Sequence, residues 1–270
     1  MPEKEIALIM PVHNNQDGLE KSLLSITDVE NQLLDIIIID DGSNRPVSID
    51  NNKFSNIHLI RFDTNRHIVA ALNAGLQYAF DNNYSYIARL DAGDMVVNNR
   101  FVKQLQFMKE NKDVGIVGSH ARAFDSNTNE DLFIIKKATS DKAIRNTMHL
   151  NNSFMHPAVM MRGDALKKIG FYNEEFCFAA QDYEYFFRIL AVSKGANIDE
   201  VLLRYEVNNK SAISHHKRAL QLKNRLLIQL KYFDFTNHYG YIGAIKTAIT
   251  SILPYSVMHM IKMCIWKKNG

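Results

Sequence analysis

Residues 33–43 read Leu-Leu-Asp-Ile-Ile-Ile-Ile-Asp-Asp-Gly-Ser, an apolar run that ends abruptly in two acids and a turn. Four consecutive isoleucines favour a β-strand, because β-branched side chains pack well on a pleated surface. When apolar side chains occupy successive positions, both faces of the strand are buried, which is typical of a parallel sheet covered by helices. This stretch therefore predicts the centre of an α/β domain.

The same pattern extends along the chain on both sides of this strand. Further strands are predicted at residues 6–12, 57–62, 86–90, 114–117 and 154–161. Apolar residues at helical spacing predict helices at residues 67–80 and 181–190. Strands that alternate with helices in this way predict a parallel, doubly wound sheet.

The overall composition is that of a globular protein. The chain has 270 residues, of which 46% are hydrophobic and 23% charged, and its two cysteines form neither a disulfide framework nor a metal-ligand spacing. Residues 1–5 lack the basic start of a signal peptide, and no run of eighteen or more uncharged apolar residues occurs. We therefore expect a cytoplasmic protein without a transmembrane helix.

Positive charge is concentrated in the last part of the chain. Residues 210–270 contain ten Lys or Arg and one acid, whereas the remainder carries 22 bases and 28 acids. Apolar helical faces flanked by lysines, at residues 214–233 and 239–266, suit helices that lie in a membrane surface, with packing on the core of the α/β domain as the alternative. We expect the α/β domain at 1–209 and a basic amphipathic helical tail at 210–270, peripheral at the inner face of the cell membrane. Nucleic-acid binding is not expected, because the tail is rich in Met, Ile and Leu and has no recognised motif.

Polar residues follow three of the predicted strands, at residues 11–14, 40–41 and 91–94. In open parallel sheets, ligands bind beyond the carboxyl ends of the strands. Acids are also common in turns, so any one of these positions carries little weight. The three together predict a ligand site along one rim of the sheet.

Six short motifs, in this order, resemble those of the inverting family 2 glycosyltransferases. They lie at residues 6–14, 39–43, 73–76, 86–94, 156–157 and 181–183. The resemblance covers roughly the first 205 residues. It implies the GT-A fold, a Rossmann-like, mostly parallel sheet flanked by helices, here with a C-terminal helical extension. It also implies transfer of a sugar from a nucleotide-sugar to a hydroxyl of a glycan or lipid-linked saccharide, in surface polysaccharide or glycolipid synthesis.

The resemblance assigns residues to the base of the donor. In the family, residues at the positions of Pro11, Val12 and His13 line the base pocket, and the acid at Asp41 hydrogen-bonds the base. Asp40 is expected to support the turn instead. The base is uracil by family habit, with guanine and thymine as open alternatives.

The acids after the fourth strand resemble the D-x-D element of the family. Asp91 and Ala92 are expected to contact the ribose side of the donor, and Asp94 and Asp91 are the candidate ligands of a Mg²⁺ or Mn²⁺ ion that bridges the diphosphate. Such a cation offsets the charge that builds up on the leaving group. Arg66 is a further candidate for contact with the donor.

Asp182 matches the catalytic base of the family, which takes a proton from the acceptor hydroxyl as its oxygen attacks the anomeric carbon. His156 and Gln181 are candidates for contact with the acceptor or the diphosphate. The alternative for Asp182 is a first-turn acid that interacts with the helix dipole. The alternative for His156 is a structural histidine.

Three positions depart from the family pattern. Gly93 stands where a metal-binding carboxylate is expected, Gln181 replaces a Glu, and Asn208 occupies the place of a metal-binding His. We therefore expect a weakened metal site that fills only together with the diphosphate, with Asp94 as its main ligand and Asp91 turned toward the ribose.

Other side chains offer compensation for these losses. His215 or His216 could replace the missing His, and Arg66 or Arg89 could stabilise the diphosphate if no metal is used. The alternative function is a degenerate relative that binds nucleotide or a partner without catalysis. A nucleotidyltransferase is disfavoured because residues 11–18 contain no Lys or Arg, and a dehydrogenase because no G-x-G-x-x-G follows the first strand.

Overall fold

The computed structural model describes residues 4–50, 54, 56–207 and 218–252. The first half contains β1 (Ile6–Val12), α1 (Gln16–Leu24), α2 (Asp28–Asn31), β2 (Leu34–Asp40), β3 (Ile57–Arg61), α3 (His67–Asp81) and β4 (Tyr86–Arg89). These elements confirm the strands and the helix predicted for this half. Their order is strand, helix, strand, as in a doubly wound domain.

The second half is more irregular. It contains β5 (Met95–Val96), α4 (Arg100–Glu110), β6 (Val114–Asp125), β7 (Asp131–Ile135), α5 (Asp141–Leu150), β8 (Met160–Arg162), α6 (Gly163–Ile169), α7 (Gln181–Val192), β9 (Lys194–Val207), α8 (Arg218–Lys231) and α9 (His238–Ile252). The strand predicted at residues 154–161 is wrong over most of its length, since His156–Ala158 form a 3₁₀ turn and β8 begins only at Met160. Pro157 lacks a backbone N–H, so it cannot complete a strand ladder there.

The strands form a single curled sheet in the order β3-β2-β1-β4-β8-β6-β9-β5, with β7 paired to β6. The first four strands are parallel, which confirms the parallel sheet for this half. In contrast, β8 runs antiparallel to both β4 and β6, while β6 and β9 are parallel. The sheet is therefore mixed in its second half, which the apolar pattern did not reveal.

Both faces of the central strands are buried. In β1, Ala7 and Ile9 face a core that includes α3, whereas Ile6, Leu8 and Met10 face a second core that includes α1 and α4. None of these five side chains is more than 1% exposed. A strand between two cores has no polar face, which is why residues 6–12 and 36–39 are apolar without alternation.

The described part of the C-terminal tail packs against the α/β domain. Directly after α8, the Tyr232 ring stacks on Phe187 of α7 with centroids 4.9 Å apart, and the Tyr232 hydroxyl donates to the buried Glu184 carboxylate at 2.8 Å. In α9, Gly243 lies so close to α5 that a Cβ there would be 1.8 Å from the His149 carbonyl oxygen.

Some of the predictions for the tail fall outside the described residues. These are the domain boundary, Asn208, His215, His216 and the end of the tail from residue 253. No helix in the described ranges is long and apolar enough to cross a membrane.

Candidate active site

A cleft of about 540 Å³ opens at the carboxyl ends of β1, β2 and β4. The predicted site residues that line it are Pro11, Val12, His13, Asp41, Asp91, Ala92, His156, Gln181 and Asp182. The parallel register explains their meeting, because Val12 at the end of β1 pairs with Asp40 at the end of β2. Two predicted residues, Arg66 and Asp94, are not among those that line the cleft.

One end of the cleft is built by the turn after β2. Asp41 is buried, and its Oδ1 accepts a hydrogen bond from the backbone N–H of Arg66 at 2.7 Å. The Asp41 carbonyl accepts from Nδ1 of His13 at 2.8 Å, so that ring nitrogen carries a hydrogen. These bonds hold Asp41 and His13 together at the predicted base pocket.

The neighbouring acid, Asp40, has a structural role. Its carboxylate accepts from the backbone N–H groups of Ser43 and Val47, at 2.9 and 3.1 Å, and pairs with Arg61. These bonds close the turn and turn Asp40 away from the cleft, which confirms the prediction that it supports the turn. The Arg66 side chain also lies elsewhere, with its guanidinium 4.8 Å from the centre of the Phe62 ring.

Arg89 lies beneath the floor of the cleft rather than in it. Its side chain is only 1% exposed, and Nη2 donates to Oδ1 of Asp91 at 2.6 Å. The Asp91 side chain remains 42% exposed and lines the cleft. The suggestion that Arg89 stabilises the diphosphate directly is therefore wrong in this structure. The Arg89 guanidinium is buried and its Nη2 is already bonded to Asp91, so Arg89 holds Asp91 in position and does not face the cleft.

His156 extends this buried network. Its Nε2 lies 3.3 Å from Nε of Arg89 and 2.9 Å from the Tyr172 hydroxyl, and both of those groups can donate to it. Burial, and then the charge of Arg89, hold the pKa of His156 well below its usual range. A neutral imidazole with an accepting Nε2 results.

Asp94 sits behind the cleft and does not face it. Only 3% of the residue is exposed, and Oδ1 accepts from the backbone N–H of Glu206 at 2.8 Å. Its Oδ2 is buried and has no hydrogen-bond partner among the described residues. Burial, and then the charge of Asp91, raise the pKa of Asp94 well above its usual range. The expectation that Asp94 is the main metal ligand, with Asp91 turned toward the ribose, stays a prediction, and in this structure Asp91 rather than Asp94 lines the cleft.

The chemistry of these acids suits a hard divalent cation. Asp91 has an exposed carboxylate, and Asp94 has an orphaned carboxylate oxygen, which is the kind of group that a nearby cation would satisfy. In the described part of the chain, however, no three potential ligands already converge on one point.

Asp182 lies in the first turn of α7, at the opposite side of the cleft from β2. Its Oδ2 accepts from the side-chain amide of Asn152 at 2.7 Å. Nζ of Lys137 donates to the Asn152 carbonyl at 2.9 Å, so the lysine and the acid share one neighbour. Burial raises the pKa of Asp182 above its usual value, while the charge of Lys137 opposes this. Burial also lowers the pKa of Lys137 to about 8.

A second cavity, of about 260 Å³, adjoins the cleft on the far side of Asp182. It shares Ala180, Asp182 and Gln221 with the cleft and is also lined by Arg225 of α8. Nη2 of Arg225 donates to the Leu150 carbonyl. Helix α8 of the C-terminal tail thus forms one wall of the site.

Sequence reasoning missed several residues that shape the site. Asn152, Lys137, Gln221 and Arg225 have no local motif, because they approach Asp182 only through long-range packing. Asn15 did carry a readable signal, since Asn is a favoured residue at a helix N-cap. It caps α1 and donates from Nδ2 to the Ala92 carbonyl at 2.9 Å, which fixes the D-x-D-like turn.

Comparisons with known sequences agree with this geometry. The family model described as Glycosyl transferase family 2 matches residues 7–170. An uncharacterized glycosyltransferase of Haemophilus influenzae is 33% identical and aligns over 67% of this chain and 70% of its own length. The UDP-Gal:alpha-D-GlcNAc-diphosphoundecaprenol beta-1,3-galactosyltransferase of Escherichia coli is 30% identical, over 87% of this chain and 84% of its own.

Comparisons with solved structures support the fold. The complex of S. aureus TarS 1–349 with UDP-GlcNAc superposes with a TM-score of 0.63 at 15% identity, over 87% of this chain and 69% of that one. The mannosyltransferase PcManGT of Pyrobaculum calidifontis, in complex with GDP-Man and Mn²⁺, gives 0.61 at 12% identity, over 98% and 81%. At these identities the likeness concerns the fold alone, and it confirms the predicted GT-A architecture.

Proposed function

The chain belongs to glycosyl transferase family 2 and is a glycosyltransferase, and we propose that it transfers a sugar from a UDP-linked donor to a hydroxyl with inversion at the anomeric carbon. The observation that carries this proposal is that one cleft joins the donor-side acids, Asp41 and Asp91, to the half-buried carboxylate of Asp182.

The donor half of the reaction depends on the strand ends. Asp41 is held by the backbone of Arg66 and is placed to accept a hydrogen bond from the base. Asp91 is held by Arg89, so its exposed oxygen is available to the ribose or to a cation. Asp91 and Asp94 are the residues that would hold Mg²⁺ or Mn²⁺. When bound, such an ion would neutralise charge on the leaving diphosphate.

In the chemical step that we propose, Asp182 acts as the base. The acceptor oxygen attacks the anomeric carbon as the bond to the diphosphate breaks, and the proton of the acceptor hydroxyl passes to Asp182. The nucleoside diphosphate leaves with the bonding electron pair. Because this is a single displacement, the configuration inverts. The raised pKa of Asp182 suits it to hold a proton during the transition state.

The cavity beyond Asp182 is the proposed acceptor site. Asn152, Gln221 and Arg225 offer polar contacts to a saccharide there. The acceptor of the Escherichia coli relative, as named, is a sugar on diphosphoundecaprenol. We infer that this chain likewise modifies a glycan or lipid-linked saccharide in polysaccharide or glycolipid synthesis.

A lipid-linked acceptor also suits the outer face of α9. Tyr241, Ile242, Ile245 and Ile249 are exposed at helical spacing and lie on one side of the helix. An exposed apolar face on a basic tail fits peripheral contact with an anionic membrane, which we propose at the inner face of the cell membrane.

The test is transfer itself. A panel of nucleotide-sugars is first screened for thermal stabilisation, since a ligand at 100 times its Kd adds about 2.7 kcal/mol. The stabilising donor is then incubated with candidate acceptors, and the anomeric configuration of the product is read by NMR. An α-linked donor should yield a β-linked product, whereas retention would overturn the inverting mechanism. The rival, a degenerate relative motivated by Gly93, predicts nucleotide binding without hydrolysis or transfer of the sugar.

A further inference from the structure

Gly93 has a neighbour that occupies the space of its missing side chain. Gly93 has a φ of +111°, and a Cβ built there would lie 2.0 Å from Oε2 of Glu206 and 3.0 Å from its Cδ. The Glu206 carboxylate therefore lies directly against the Gly93 backbone. A side chain at position 93 and Glu206 in this position exclude each other, both by contact and by the backbone conformation.

Glu206 is fixed through its backbone and free at its carboxylate. It lies near the end of β9, where it pairs with Phe124 of β6, and its N–H donates to Asp94. The side chain is partly exposed, and its carboxylate has no hydrogen bond or ion pair to any other described residue. Nothing within the described ranges has to be broken for it to bind a ligand.

Within the described residues, no basic side chain pairs with the Glu206 carboxylate. The neighbouring Asp94 accepts from the Glu206 backbone N–H through Oδ1, while its buried Oδ2 has no hydrogen-bond partner there. Arg89 pairs with Oδ1 of Asp91. The buried Arg100 donates to the backbone carbonyls of Pro157, Arg89 and Val159. Carboxylates that are close together and not fully paired are costly unless a proton or a cation joins them. A divalent cation would supply the missing charge.

We propose that Glu206 supplies the metal-binding carboxylate that Gly93 cannot, so that the cation site of this enzyme is formed by Asp91 and Glu206 with Asp94 behind them. The inference rests on the proposed function, because the cation is the one that accompanies the donor diphosphate. The ligand has moved from the turn after β4 to strand β9. Since no three ligands converge in the described structure, Glu206 turns toward Asp91 only when nucleotide and cation arrive.

The test measures metal binding directly. Mn²⁺ is titrated into the full-length protein with and without UDP, and free Mn²⁺ is followed by electron paramagnetic resonance. For Glu206→Gln we expect Mn²⁺ affinity in the presence of UDP to fall at least about tenfold, since even residues outside the ligand shell cost 10–100-fold. The matched control is Glu200→Gln, on the same strand but paired with Lys103 at 2.5 Å. It should bind Mn²⁺ as the parent does.

The outcomes separate this inference from the proposed function. If Glu206→Gln melts within a few degrees of the parent and binds Mn²⁺ within twofold of it, Glu206 is not a ligand, and the proposed function stands. If the parent transfers sugar in the presence of chelator and takes up no Mn²⁺ with UDP, the inference again fails alone. If the parent binds no nucleotide-sugar at all, the proposed function fails.

Discussion

The side-chain amide of Asn152 donates a 2.7 Å hydrogen bond to Oδ2 of Asp182. The bond holds the carboxylate at the junction of the two cavities. A half-buried carboxylate that is held in this way is positioned to accept a proton, so this pair is the natural starting point for tests of the mechanism.

We expect Asp182→Asn to abolish transfer, because an amide cannot accept the acceptor proton. General-base catalysis typically contributes about 10²–10⁴-fold, so the loss of rate should be at least in that range. UDP affinity, measured by calorimetry, should stay within twofold of the parent. Asp164→Asn is the control, since Asp164 is also a first-turn helix acid but lies outside the cleft. Transfer within a few-fold of the parent would exclude Asp182 as the base.

The pH profile should report the environment of Asp182. Because burial raises its pKa, kcat/KM should fall as the pH drops through that raised pKa and the carboxylate becomes protonated. The charge of Lys137 opposes the shift, so Lys137→Gln should move the acidic limb of the profile to higher pH. The adjacent, exposed Lys136 gives the control, Lys136→Gln. An acidic limb that does not move in Lys137→Gln would contradict the coupling.

Asp41→Ala should weaken nucleotide binding without abolishing the chemical step at saturating donor. The loss of a charged hydrogen-bond partner typically costs about 1.5–3 kcal/mol, or roughly 10–100-fold in Kd. Calorimetry with UDP measures the effect, and Asp63→Ala, at an exposed loop position, is the control. Unchanged UDP affinity in Asp41→Ala would remove this residue from the base pocket.

Membrane contact should depend on the outer face of α9. Burial of an isoleucine side chain contributes about 1.5–3 kcal/mol, so Ile245→Ser with Ile249→Ser should reduce partitioning onto phosphatidylglycerol-containing vesicles by about tenfold or more. Sedimentation with vesicles measures the bound fraction. Leu132→Ser with Ile134→Ser, which changes exposed apolar residues of β7, should bind as the parent does. Equal binding by both double variants would leave α9 without a role at the membrane.

Local sequence determined the elements and their chemistry. The apolar run before Asp40 and Asp41 is buried on both faces, and that condition alone defines a central parallel strand with a polar end. Because parallel strands end at one rim, the motifs at residues 11–14, 40–41 and 91–94 had to meet there. These are properties of periodicity and strand direction, so they can be read without knowing which distant residues come together.

Only the tertiary structure decided how the charges of the site are arranged. Glu206 and Asp94 are joined by a hydrogen bond across 112 residues of sequence, and Arg89 is buried beneath Asp91 rather than facing the cleft. Gln221 and Arg225 of the tail line the site, although the basic composition of residues 210–270 suggested that the tail is a separate segment. Such contacts depend on the register of β9 and the docking of α8, which are set by packing over the whole domain and leave no periodic pattern in the sequence.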